Sequence, residues 1–83
     1  MVAPRIIGKY VDNGFSLSAE YCKRGTMLAD EGRLSEALDN FNKAIDIYPL
    51  NPVAYYNRAT VRMDLGDIIG ARTDFETSGT LQI

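Results

Sequence analysis

Histidine is missing from this chain, and cysteine occurs once, as Cys22. Without histidine, neither a Ser–His–Asp nor a Cys–His arrangement can activate a nucleophile. One cysteine with no histidine cannot supply the ligands of a zinc site. A lone thiol also rules out an intrachain disulfide, which suits a reducing compartment and a cytoplasmic protein. Only Lys23 and Arg24 are close enough in sequence to lower the pKa of Cys22, so it reads as a groove or core thiol and not as a reactive one. Long apolar runs are absent too. No stretch approaches the roughly 20 residues of a membrane span, and Pro4, Arg5, Gly8 and Lys9 break up the N-terminus before a signal-like segment can form. Basic charge is scarce: 9 Lys and Arg stand against 11 Asp and Glu, for a net charge of −2 and an isoelectric point near 4.9. With the cations scattered among acids, no basic face is available for nucleic acid. Neither form of Gly-rich phosphate loop occurs. Asp12-Asn13-Gly14 begins like a calcium loop but lacks the later ligands and closing glutamate, and reads as a turn. The expectation is a non-enzyme with no metal and no cofactor.

What is present is a repeat. The 83 residues, 46% of them hydrophobic, make one small domain with a thin core. Sliding the sequence along itself by one fixed step superposes Tyr21 on Tyr55, Arg24 on Arg58, Thr26 on Thr60 and Asp30 on Asp64. The same step superposes Gly32 on Gly66, Ala37 on Ala71 and Phe41 on Phe75, while Gly25 meets Ala59 and Ala44 meets Ser78. That many identities at one offset are not chance.

Inside each unit the apolar residues recur at steps of three and four, as in Leu34, Ala37, Leu38, Phe41, Ala44, Ile45 and Tyr48. This is the period of a helix with one buried stripe. It predicts an all-α chain with helices over 18–31, 35–48, 53–65 and 68–79. Gly32 and Gly66 fall where a helix ends in a left-handed residue, and Ser35 and Asp67 are placed to cap the helices that follow. Pro49 and Pro52 stop the second helix, and Pro52 can open the third. Small residues (Gly25, Ala59, Ala37, Ala71) would let paired helices approach closely, Phe41 and Phe75 would fill the space beyond, and Tyr21 and Tyr55 would cover it. An ion pair between Arg58 or Arg62 and Asp74 is expected across the second pair.

The series Tyr21, Gly25, Leu28, Gly32, Ala37, Phe41, Ala44 and Pro49 resembles the tetratricopeptide signature, and the stretch from Asn51 to Phe75 is similar to a common bacterial form of that repeat. The second unit departs from the pattern at Ser78, Gly79 and Ile83. The resemblance implies a right-handed helix-turn-helix repeat superhelix of two antiparallel helix pairs. Its divisions would be an N-terminal leader or capping segment (1–17), a first repeat (18–51) and a second (52–83). It also implies a protein-interaction adaptor whose concave face, lined by the first helix of each unit, takes a protein or peptide partner. Carried over by alignment, that face holds Cys22, Thr26 and Asp30 with Ala19 and Ala29, then Tyr56, Asn57, Thr60, Met63 and Asp64 with Val53. Relatives that clamp a carboxylate use a lysine and an asparagine where this chain has Cys22 and Thr26, and only Asn57 matches their set. One amide without convergent cations does not repay desolvating a carboxylate.

Two repeats are fewer than such arrays usually need. Ile69, Phe75, Leu81 and Ile83 leave an uncapped apolar end, and Ile6, Ile7, Tyr10, Val11, Phe15 and Leu17 form an apolar leader. The alternative reading is therefore a structural module that self-assembles into a homo-oligomer through these ends, by stacking or helix exchange.

Overall fold

The computed structural model describes residues 12–82. It contains four helices: α1 (Phe15–Asp30), α2 (Leu34–Ile47), α3 (Pro52–Asp64) and α4 (Ile68–Leu81). α1 pairs with α2 and α3 with α4, and α3 also lies against both helices of the first pair. Two helical hairpins are thus stacked through the first helix of the second.

Each boundary has a local cause. At the start, Asp12, Asn13 and Gly14 form the expected turn: the Ser16 N–H donates to Asp12 Oδ1 at 2.8 Å, and the Phe15 N–H donates to the Asp12 carbonyl at 2.8 Å. Hydrogen bonding from the Ser16 side chain and from the Ser16 N–H holds the Asp12 carboxyl below its ordinary range. α1 consequently begins earlier than predicted, and Phe15 and Leu17 belong to it. The other leader residues, Ile6, Ile7, Tyr10 and Val11, lie outside the described residues, as does Ile83.

Gly32 and Gly66 adopt φ of 80° and 86°, the left-handed region that costs glycine little. At each, the next residue's N–H returns to the last turn: Arg33 donates to the Leu28 carbonyl at 2.9 Å, and Asp67 to that of Arg62 at 2.8 Å. This closure satisfies carbonyls that a helix end leaves unpaired. Asp67 caps α4 by accepting from the Gly70 N–H at 3.0 Å. Asn51 caps α3 by accepting from the Val53 N–H at 3.1 Å, with Pro52 as the first helical residue. The cap expected of Ser35 does not form. α2 already starts at Leu34, behind Arg33, so Ser35 sits inside the first turn; Arg33 instead pairs with Glu36 through Nε at 2.7 Å.

The core runs through Cys22, Phe41, Ala37, Ala44, Ala54 and Val61, so it spans the first pair and the near side of α3. Gly25 is the notch that makes it possible. A Cβ at Gly25 would stand 2.6 Å from Phe41 Cε1, so no larger residue fits while the ring, 1% exposed, stays where it is. Phe75 corrects the expectation that both rings fill the interior. It is 37% exposed and meets Tyr56 edge to face, with ring centroids 5.2 Å apart. The cause is what lies alongside: α3 covers the first pair, whereas among the described residues no helix covers the second.

Candidate functional site

The two repeats are joined by polar bonds that fix how their first helices sit. Ser18 Oγ donates to the Ala44 carbonyl at 2.8 Å, tying the start of α1 to the end of α2. Asn51 Nδ2 donates to Ser18 Oγ at 3.0 Å and approaches Cys22 Sγ at 3.6 Å. Ser18, Cys22 and Asn51 are all buried. In the second pair the hydroxyl has changed sides: Ser78 Oγ on α4 donates to the Pro52 carbonyl on α3 at 2.9 Å.

On the other side of α3, Asp74 is clamped by two arginines. Arg58 grips it through Nε and Nη2, both at 2.8 Å, and Arg62 Nη1 reaches it at 2.8 Å. The Asp74 side chain is 3% exposed. Its hydrogen bonds push the Arg58 guanidinium above its already high range, against the opposing effect of burial. Arg58 Nη1 also donates to Asn42 Oδ1 on α2 at 2.8 Å, so one side chain bridges three helices. The expected ion pair is present, and it employs both arginines.

With α1 and α3 held side by side, two clefts open along their shared face. One of about 250 Å³ is lined by Phe15, Ala19, Cys22, Lys23, Thr26, Asn51, Val53 and Asn57. The other, of about 190 Å³, is lined by Thr26, Ala29, Asp30, Phe41, Asn57, Thr60, Val61 and Asp64. Thr26 and Asn57 belong to both, and Asn57 Nδ2 donates to Thr26 Oγ1 at 3.4 Å, a weak bridge across the floor. The groove therefore has an apolar half with Lys23 on its rim and a second half carrying Asp30 and Asp64. Among the described residues, none of these three charges is in an ion pair.

Of the residues expected on the concave face, Thr26, Asp30, Asn57, Thr60 and Asp64 come together in this groove. Cys22 is there as floor, 5% exposed, and burial raises its thiol pKa despite the Asn51 bond. Tyr56 and Met63 line neither cleft; both are about half exposed, and Tyr56 is engaged with Phe75. Ile69 is 81% exposed and Leu81 is half-buried. Asn51 and Lys23 line the groove without having been expected on the concave face. The Asn-Pro step marks a helix start, but nothing in a linear sequence shows that the same amide reaches back to Ser18.

A sequence profile described as "TPR repeat" matches residues 25–66, half of the chain. The chain belongs to the tetratricopeptide repeat family. Among its relatives, Tetratricopeptide repeat protein 36 of Caenorhabditis elegans is 46% identical over 46 residues, 55% of this chain and 26% of the relative. Its Homo sapiens counterpart is 45% identical over 53 residues, 64% of this chain and 28% of the relative. An uncharacterized protein of Methanocaldococcus jannaschii is 32% identical over 65 residues, 78% of this chain and 76% of the relative. The tetratricopeptide chain thus spans about a quarter of the first two relatives and three quarters of the third. No solved structure matches it. Tetratricopeptide repeats are in general protein-interaction modules. Among the described residues no tetratricopeptide helix is long and apolar enough to cross a membrane.

Proposed function

We propose that the chain is an adaptor that binds an extended peptide segment of a protein partner in the groove between α1 and α3. The observation that supports this most directly is the continuity of the two clefts through Thr26 and Asn57, whose polar atoms can meet a peptide backbone. The polarity of the groove suggests the ligand's chemistry. An apolar side chain fits among Phe15, Ala19 and Val53, and a basic one fits between Asp30 and Asp64. The role is binding without catalysis, since the sequence holds no histidine and its one thiol is held protonated by burial. A cytoplasmic setting suits that unpaired thiol.

The test is capture of partners from lysate by the wild-type chain and by Asp30→Lys/Asp64→Lys and Asn57→Ala variants, with helical content checked by circular dichroism. Both variants should stay folded and lose the captured set. An unchanged set would remove the groove from consideration.

A second reading, self-association into a homo-oligomer, is favoured by one observation: Tyr56, Met63 and Phe75 leave an apolar patch exposed on the second pair.

A further inference from the structure

The joint between the two repeats shows what covers such a patch. Ala54 and Val61 of α3 enter the core cluster with Cys22, Phe41 and Ala44 of the first pair, and Arg58 reaches Asn42 beside them. One repeat further along the chain, Cys22, Phe41 and Asn42 become Tyr56, Phe75 and Glu76, exposed on a face of the second pair that no helix covers among the described residues. One repeat back, Ala54, Arg58 and Val61 become Glu20, Arg24 and Met27 on α1. Those three are exposed, Met27 by 58%.

We infer that a second copy of this chain docks head to tail, laying the outer face of its α1 on the α3–α4 face of the first as α3 lies on the first pair. This rests on the self-association reading and names both of its surfaces. Met27 then joins Phe75, as Val61 joins Phe41 in the core. Arg24 meets Glu76 where Arg58 meets Asn42, which turns a polar contact into an opposite-charge one. Arg24 already holds the posture required: its guanidinium lies 4.9 Å over the Tyr21 ring, as that of Arg58 lies 5.6 Å over Tyr55. Neither Arg24 nor Glu76 has an ion-pair partner among the described residues. Glu20 marks the difference from the internal joint. It brings a long charged side chain to the place of a fully buried alanine, so the contact between copies is weaker than the contact within one. Because the two surfaces differ, the contact is heterologous and can continue from copy to copy.

The experiment is sedimentation of the whole chain from micromolar to millimolar concentration. The mass average should rise with concentration, and Glu20→Ala should shift that rise to lower concentration. Met27→Glu and Phe75→Glu should each stay at monomer mass alone, while their equimolar mixture forms a species of twice that mass, since each keeps one intact surface. If Phe75→Glu loses helical signal, exposed Glu76→Arg replaces it, and its block should be relieved by mixing with Arg24→Glu. A wild-type chain that stays monomeric throughout overturns this inference and the self-association reading together. A Met27→Glu chain that associates like wild type overturns the head-to-tail geometry and leaves self-association standing.

Discussion

The two repeats carry the same residues at many positions and end in different surroundings. Phe41 and Phe75 are the clearest pair: one helix-facing ring is 1% exposed and its counterpart 37%. Cys22 and Tyr56, which also occupy equivalent places in the two repeats, are 5% and 53% exposed. The first hairpin is completed by its neighbour α3, whereas the second is completed by its own polar chemistry. Where the first pair has Leu28 and Asn40, which line a cleft beside Arg24, the second has Arg62 and Asp74, joined with Arg58 in an ion-pair network. In a repeat protein, residue identity sets the hairpin and the adjacent hairpin sets the burial.

The largest expected effect separates the two phenylalanines. Phe41→Ala should destabilise the chain by about 3–5 kcal/mol, because it empties a closed core that Gly25 was shaped to admit. Phe75→Ala should cost about 1–2 kcal/mol, since much of its ring surface is already in water. Equal losses in denaturant midpoint would show that the second hairpin is as enclosed as the first. Next in size is Asp74→Asn, which gives the second repeat the amide that the first carries at Asn40. It should cost about 3 kcal/mol, because Arg58 and Arg62 keep their charges and lose the carboxylate that balances them. A loss within about 0.5 kcal/mol of zero would mean that the clamp is a surface pair. The smallest effect leaves stability nearly unchanged. Cys22 should react slowly with a thiol reagent at neutral pH, being buried and held protonated, whereas Tyr56→Cys placed in a Cys22→Ser background should react quickly. Similar labelling rates would erase the contrast in cover between the two sites.

Much of the fold was legible from residues alone. Gly32 and Gly66 announced their turns, Asp67 its cap, Gly25 its notch, and Arg58 with Arg62 their carboxylate, because each depends on neighbours within one hairpin. What could not be read was relational. The alignment of the two repeats assigns Phe75 the interior place of Phe41, but its cover would have to come from another helix. Ser35 looked like a cap because serine favours that role, yet the chain closed its turn one residue sooner. For the groove, alignment placed Thr26, Asp30, Asn57, Thr60 and Asp64 on one face. Tyr56 and Met63, assigned to the same face, line neither cleft, and the Tyr56 ring meets Phe75 where the smaller Cys22 finds Asn51.

Asn51 holds two jobs in one side chain: its Oδ1 begins α3, and its Nδ2 ties that beginning to Ser18. Together with the Arg58–Asn42 bond and the packing of Ala54 and Val61, this amide sets the direction in which one hairpin leaves the next. In stacked assemblies of this kind a small rotation at each step accumulates into the curvature of the whole. A substitution at Asn51 would therefore act less like a local injury than like a change of pitch in a screw, with an error that widens at every further turn.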